Sequence, residues 1–136
     1  QALNIPLAFI EKRRIDNKEH AEALTIIGDV RDRDVLLVDD EIDTGGSMCQ
    51  AIQIAKLNGA RNIYVVFIHP VLSANATERL AEQPVKEFIT TNTIPLDARQ
   101  KALFGERLTV LSIGPLLAEV IRRANEGTSV GAMFNE

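Results

Sequence analysis

The stretch Val38-Asp39-Asp40-Glu41-Ile42-Asp43-Thr44-Gly45-Gly46-Ser47-Met48 decides the fold of this 136-residue chain. It ends the aliphatic run at residues 35–38 and leads into a segment with helical periodicity at residues 47–58. An aliphatic run without polar alternation is typical of a parallel strand that is buried on both faces. The stretch therefore predicts a strand, a tight turn and a helix, which is the repeating unit of an α/β protein with a mostly parallel sheet.

The same stretch carries the residue types of a sugar-phosphate site. An acid, two hydroxyls and two glycines stand just before a helix, in the order Asp43, Thr44, Gly45, Gly46 and Ser47. Backbone N–H groups at a glycine turn and at a helix N-terminus bind a phosphate group. The paired carboxylates of Asp39 and Asp40 suit sugar hydroxyls, or a metal ion bound to the carboxylates.

Each part of this stretch is common, and only the whole is specific. A Gly-Gly turn between a strand and a helix is most often a short connection, and two acids after a strand are often a solvated edge. The stretch is not a Walker loop, because no Gly-Lys-Ser/Thr follows its glycines. It is not a dinucleotide fingerprint either, because the G-x-G-x-x-G spacing is absent.

Composition narrows the class of protein. The length fits one domain, and 46% of the residues are hydrophobic, which is enough for a real core. A net charge of −4 argues against nucleic acid as a partner, and no apolar run is long enough for a membrane span. The single cysteine, Cys49, excludes an internal disulfide framework and fits a reducing compartment, so a cytoplasmic location is expected. We expect Cys49 itself to be a buried spectator.

Hydrophobic periodicity predicts alternating strands and helices along the chain. Strands are predicted at residues 7–10, 23–27, 35–38, 63–68, 85–90 and 108–113. Helices are predicted at residues 47–58, from a capping box formed by Asn75 and Glu78 to about residue 83, and from Gly114 to a stop at Gly127. Leu117, Val120, Ile121 and Ala124 are expected to form the apolar face of the last helix.

A second group of residues could act on phosphates. Lys12, Arg13 and Arg14 form a cationic cluster just after the first predicted strand, and the polar residues 16–22 that follow suggest a mobile loop. Three adjacent cations are usually a solvated turn. Beside a phosphate site, however, a mobile basic loop can close over a polyphosphate and neutralise charge in the transition state.

Several separated motifs occur in an order that is distinctive. They are Ile10-Glu11-Lys12-Arg13-Arg14, Ile26-Ile27-Gly28-Asp29-Val30, Leu36 to Ser47, Asn58-Gly59-Ala60, His69-Pro70-Val71-Leu72-Ser73, Thr91-Asn92-Thr93-Ile94-Pro95-Leu96 and Leu116-Leu117-Ala118-Glu119. In this order they resemble the C-terminal domain of the ribose-phosphate pyrophosphokinase family over residues 8–134. The resemblance implies a type I phosphoribosyltransferase-like fold, with a mostly parallel sheet flanked by helices.

The resemblance also implies a reaction and a set of site residues. Family members transfer a diphosphoryl group from Mg²⁺-ATP to the 1-hydroxyl of ribose 5-phosphate. By the same resemblance Lys12 and Arg14 would be catalytic, Asp39 and Asp40 would hold the ribose hydroxyls, and the 5-phosphate would lie on Asp43, Thr44, Gly45, Gly46 and Ser47. Asn92 and Thr93 would lie in a loop near the ribose phosphate. Homo-oligomers are expected from the family alone, with no nucleic-acid or membrane partner.

The resemblance covers only the C-terminal half of a two-domain enzyme. The family's N-terminal half supplies a metal-binding histidine, much of the ATP site and the pyrophosphate loop, and none of these motifs is in the chain. We therefore expect the chain alone to bind ribose 5-phosphate weakly and to make no product. Gly131 and Ala132 stand where many members carry serines that help to bind a regulatory phosphate or ADP.

Three other interpretations stay open at this stage. A non-catalytic regulatory homologue would be expected to change the basic cluster or the glycine loop, and both are intact here. A base-salvage phosphoribosyltransferase shares the glycine loop but generally lacks the basic cluster and the 92–95 string. A purely structural α/β domain would make two phosphate-matched groups a coincidence.

Overall fold

A computed structural model describes residues 5–14 and 22–134, with the backbone alone for residues 12–14 and 22–24. The first two strands, β1 (Phe9–Arg14) and β2 (Glu22–Ile27), form an antiparallel pair in which Phe9 lies opposite Ile27. The predicted first strand was expected to end before the basic cluster. This prediction is wrong, because β1 continues through residues 12–14 and pairs them with β2.

A second sheet contains four parallel strands in the order of the chain, namely β3 (Asp34–Glu41), β4 (Asn62–His69), β5 (Glu87–Thr91) and β6 (Leu108–Leu111). Four helices follow these strands in turn, namely α1 (Gly46–Leu57), α2 (Ala76–Ala81), α3 (Ala98–Phe104) and α4 (Gly114–Glu126). Short 3₁₀ turns lie at Gly105–Arg107 and Gly131–Met133. The predicted α/β fold with a mostly parallel sheet is confirmed.

The core lies on one face of the four-stranded sheet. Each strand pairs with the next in sequence, so right-handed crossovers carry α1, α2 and α3 to the same face. Buried side chains of all three helices pack with those of the strands in a single cluster, which includes Ile52, Phe67, Leu80, Phe88 and Phe104. The rings of Phe88 and Phe104 lie 4.7 Å apart between centroids.

The opposite face of this sheet, which we call the open face, is uncovered by the described residues. Leu36 is 40% exposed and Val38 is 67% exposed there. The apolar side chains predicted for the last helix are present on α4, yet no residue of that helix is buried. Ile121, for example, is 68% exposed. The periodicity of α4 was therefore interpreted correctly as a helix, while its expected packing is not found.

Two helix starts differ from the prediction. Asn75 is the N-cap of α2, but its side chain accepts no capping hydrogen bond, so the predicted capping box at this position is wrong. A capping box occurs instead at Asp97 and Gln100, where it starts α3, a helix that the periodicity did not reveal. No helix within the described ranges is long and apolar enough to cross a membrane.

Candidate functional site

The turn between β3 and α1, residues 42–48, will be called the glycine loop. Gly45 is the N-cap of α1 and has a φ of 75°, in the left-handed region that favours glycine. A Cβ atom on Gly45 would lie 3.6 Å from Ala76 Cβ and from Leu80 Cγ, which is ordinary contact. The backbone angle, rather than a lack of space, therefore requires the glycine.

The N-terminus of α1 is open toward a ligand. The first N–H groups of a helix have no intrahelical partner, and Gly45, as the N-cap of this helix, has no side chain that could accept a hydrogen bond from them. The first turn of α1 contains no acidic residue. Because α1 is 12 residues long, its partial positive charge at this end favours an anion.

A surface cavity of about 200 Å³ lies over the glycine loop. It is lined by Asp39, Glu41, Ile42, Asp43, Thr44, Gly45, Gly46, Ser47 and Met48. The structure thus brings together all the residues predicted to bind the sugar phosphate except Asp40. Neighbouring residues of a strand point to opposite faces of a sheet, so Asp40 is directed away from the cavity that Asp39 lines. The same alternation could have indicated Glu41, which sequence reasoning missed.

The carboxylates at the end of β3 are partly fixed by the backbone. Asp39 Oδ1 accepts a hydrogen bond of 3.0 Å from the N–H of Asp40, and Asp40 Oδ1 accepts one of 2.9 Å from the N–H of Glu41. Partial burial raises the pKa of Asp39. The backbone N–H of Asp40 opposes this rise in the pKa, and the Asp40 carboxylate adds to it. Crowded carboxylates of this kind favour a ligand that brings hydroxyl donors or a cation beside its anionic group.

His69 ends β4 next to the cavity, opposite Glu41 on β3. Its Nδ1 lies 3.0 Å from Thr93 Oγ1, and the hydroxyls of Thr93 and Thr91 both reach the carbonyl oxygen of Ile68, at 3.0 and 2.7 Å. Each hydroxyl has a single proton, which it uses to donate a hydrogen bond to the Ile68 carbonyl oxygen. The most hydrogen bonds therefore form when His69 has an N–H at Nδ1, which donates a hydrogen bond to Thr93 Oγ1. In the neutral ring this leaves His69 Nε2 as an acceptor.

Asn92, which the family resemblance associated with the ribose-phosphate site, has a structural role at the next strand end. Its Oδ1 accepts a hydrogen bond of 2.9 Å from the N–H of Ile113, the N-cap of α4. Its Nδ2 lies 3.4 Å from Ser112 Oγ. Asn92 therefore joins the end of β5 to the start of α4.

Three other residues to which the sequence assigned a role are Lys12, Arg14 and Cys49. The side chains of Lys12 and Arg14 lie outside the described residues, so their predicted catalytic role stays a prediction. Cys49 is half-buried in the first turn of α1, and burial raises the pKa of its thiol, in agreement with a spectator role. Within residues 5–11 and 25–134, no group of three or more His, Cys, Asp or Glu side chains could hold a metal ion.

This geometry can be set beside known proteins. Residues 8–135 match the family model described as the phosphoribosyl synthetase-associated domain, and the chain belongs to this family. The structural match given below also confirms the predicted type I phosphoribosyltransferase-like fold.

Relatives and a solved structure agree with the family assignment. The chain is 46% identical over 134 residues to a ribose-phosphate pyrophosphokinase of Caldanaerobacter subterraneus subsp. tengcongensis, covering 98% of this chain and 41% of the relative. It is 43% identical over 129 residues to that of Haemophilus influenzae, covering 95% and 40%. A crystal structure of phosphoribosylpyrophosphate synthetase from Mycobacterium smegmatis matches 92% of this chain and 38% of its own, with a TM-score of 0.81 and 39% identity. The chain thus spans about two fifths of the length of these relatives.

Proposed function

We propose that this chain is the ribose 5-phosphate-binding part of a ribose-phosphate diphosphokinase, and that a longer protein completes the active site. The observation that carries the proposal is that the N-terminus of α1, two hydroxyls and the Asp39 carboxylate meet at one cavity. A sugar phosphate carries both kinds of group that the two parts of this cavity can bind. Its phosphate suits the helix end, and its hydroxyls suit the carboxylate.

In this proposal each part of the glycine loop has a defined role. The 5-phosphate accepts hydrogen bonds from the N–H groups of Gly45, Gly46 and Ser47 and from the hydroxyls of Thr44 and Ser47. Asp39 accepts hydrogen bonds from ribose hydroxyls. Asp40, whose side chain is directed away from the cavity, is proposed to assist through its N–H, which donates a 3.0 Å hydrogen bond to Asp39 Oδ1 and orients that carboxylate. Asp43 stands at the entrance of the loop beside the phosphate.

The proposed reaction is a diphosphoryl transfer. The 1-hydroxyl oxygen of ribose 5-phosphate forms a bond to the β-phosphorus of ATP, the bond from that phosphorus to the α-bridging oxygen breaks, and AMP leaves. Lys12 and Arg14 are proposed to stabilise charge on the transferring phosphates, since such reactions depend on positioning and electrostatics. The hydroxyl proton passes to solvent or to a base of the complete site.

A magnesium ion would enter with ATP. The described residues offer carboxylate oxygens at Asp39, Glu41 and Asp43 around one cavity, and oxygen is the ligand type that Mg²⁺ prefers. No three-residue metal cluster occurs in the described part of the chain. This fits an ion held mainly by substrate phosphates and water with one or two carboxylates. When bound, the ion would neutralise developing phosphate charge.

Calorimetric titration of the 136-residue chain with ribose 5-phosphate tests the binding part of the proposal. We expect saturable binding that is at least about tenfold weaker for Asp39→Ala, because its carboxylate accepts the hydrogen bonds of the ribose hydroxyls and one charge-assisted hydrogen bond is worth about 1.5–3 kcal/mol. Thr44→Val, which removes one exposed hydroxyl at nearly constant shape, should weaken binding less. Asp29→Ala is the matched control, since it removes an exposed turn carboxylate outside the cavity.

Two outcomes would contradict the proposal. No binding of ribose 5-phosphate by a folded wild-type chain would contradict the sugar-phosphate site proposed at the glycine loop and would favour a regulatory homologue. Turnover well above background by the isolated chain would contradict its role as half of an active site. Ribose and inorganic phosphate, titrated separately, show which half of the ligand the cavity holds.

A further inference from the structure

The segment after β4, residues 69–74, holds the glycine loop through its backbone, and we call it the brace. The N–H of Ile42 donates to the carbonyl oxygen of His69 at 3.2 Å. The N–H of Leu72 donates to the carbonyl oxygen of Ile42 at 2.9 Å, and the N–H of Ser73 donates to that of Asp43 at 3.0 Å. Both residues that lead into the glycines are therefore tied to the brace.

Two residues of the brace have an uncommon backbone conformation. Leu72 has a φ of 47° and Ala74 a φ of 53°, in the left-handed region that residues with a Cβ atom seldom occupy. Such residues persist only where the surrounding structure holds them, and they cluster at ligand sites. The hydrogen bonds to the glycine loop come from the N–H of Leu72, which has one of the two angles, and from the N–H of Ser73, which lies between the two residues.

The surroundings hold the brace from three sides. The Leu72 side chain is only 5% exposed and belongs to the core. Ala76, at the start of α2, is fully buried and packs under Gly45. At the other end the His69 ring is hydrogen-bonded to Thr93, after β5. Core packing and hydrogen bonds therefore hold a turn with two left-handed residues against the glycine loop.

We propose that the brace is a positioning element that sets the affinity of the glycine loop for a phosphate group, and that the left-handed backbone at Leu72 and Ala74 is its working part. A loop already fixed in its bound form loses less conformational freedom on binding, so its affinity is higher. Leu72 and Ala74 are positioning residues, because they act through Ile42 and Asp43. The identity of the ligand rests on the proposed function, whereas the holding of the loop does not.

Position 74 offers a matched pair of variants, because Ala74 is exposed and its replacement disturbs no packing. Val is strongly disfavoured at a φ of 53°, whereas Gly adopts this angle without steric cost. We expect Ala74→Val to speed hydrogen exchange of the Leu72 and Ser73 amides, and to weaken ribose 5-phosphate binding by about fivefold. Ala74→Gly should keep both values within about twofold of the wild type.

A second pair separates positioning from general stability. Leu72→Ala and Leu96→Ala each shorten a buried leucine of the core, and Leu96 lies outside the cavity lining. When both variants are compared at the same fraction of folded protein, we expect only Leu72→Ala, and not Leu96→Ala, to speed amide hydrogen exchange at Ile42 and Leu72. Only Leu72→Ala should also weaken ribose 5-phosphate binding.

The readouts distinguish the two proposals. Unchanged amide exchange and unchanged affinity in Ala74→Val and Leu72→Ala would overturn the positioning role. Equal effects in Leu72→Ala and Leu96→Ala would overturn it as well. Faster exchange in the brace variants, with a wild type that binds no ribose 5-phosphate, would support the holding of the loop while contradicting the proposed ligand.

Discussion

The two faces of the four-stranded sheet differ in their burial, and the composition of the strands does not show which face is buried. On the helix-covered face, Val65 and Phe67 of β4 are fully buried. On the open face, Tyr64 and Val66 of the same strand are half-buried and Ile68 is 41% exposed. Both faces carry apolar side chains, so strand composition alone does not say which face is covered. Strand order decides it, because three successive crossovers advance in one direction.

This difference teaches where the stability and the candidate site of the described chain lie. Fully parallel sheets are normally covered on both sides, and the open face departs from that rule among the described residues. The glycine loop belongs to the covered side, since Gly45 packs on Ala76 and Leu80. The cavity is therefore built on the well-packed part of the molecule.

The largest contrast is expected from truncating one large side chain on each face. Phe67→Ala should lower the free energy of unfolding by about 3–5 kcal/mol, because it removes a fully buried ring and leaves a cavity. Leu36→Ala on the open face should cost about 1 kcal/mol or less, because Leu36 is 40% exposed. Urea unfolding measures both values, and equal losses would break the comparison.

A smaller contrast uses one conservative change at two sites. Val65→Thr places a hydroxyl in the core and should cost about 1–3 kcal/mol, whereas Val38→Thr on the open face should change stability by about 0.5 kcal/mol or less. Thermal unfolding of the two variants sharpens the comparison, because shape is nearly constant. A large loss in Val38→Thr would indicate that the open face is covered in solution.

Thr90 tests the covered face in the opposite direction. Its side chain is 1% exposed, and its Oγ1 has no hydrogen-bond partner among the described residues. Thr90→Val should therefore raise the free energy of unfolding, by about 1 kcal/mol. Thr91→Val is the matched control and should lower it, because Thr91 donates a 2.7 Å hydrogen bond to Ile68. Destabilisation by both variants would show that Thr90 has a partner.

The smallest effect is expected at α4, which lies outside the core. Glu119 accepts hydrogen bonds from Arg122 and Arg123, and these lower its pKa to about 2. Because the folded pKa is lowered, the stabilisation is present above the ordinary carboxyl pKa and is lost as pH falls toward 2. Helical circular dichroism between pH 5 and 2 should show this loss in the wild type and not in Glu119→Gln. Identical profiles would show that these exposed ion pairs contribute nothing measurable.

Sequence reasoning succeeded where signals were local. The aliphatic runs predicted the four parallel strands, and the glycines at 45, 59 and 127 marked turns that have positive φ in the structure. It failed at the ends of β1, where basic residues continue a strand through backbone pairing. It also missed α3, whose seven residues contain only one buried side chain and so show little periodicity.

The candidate site divides in the same manner. Its polar residues lie in one short stretch of the chain, so their types and order could be read from the sequence and predicted the kind of ligand. Glu41 could have been found by the alternation that it shares with Asp39, whereas the brace could not, because it is distant in sequence and contacts the loop through backbone groups of ordinary residues. No side-chain type marks Leu72 or Ala74 as left-handed.

The sequence by itself determined the α/β class, the position of the glycine loop after β3 and the residue types available to a sugar phosphate. These follow from local periodicity and from the special backbone freedom of glycine. Only the tertiary structure decided which face of the sheet is covered, which carboxylate lines the cavity and which distant segment fixes the loop. Side-chain alternation along β3 is local, but strand order decides which side of the strand is covered. The hydrogen bonds that hold the loop join residues about 30 positions apart, and no local pattern encodes either feature.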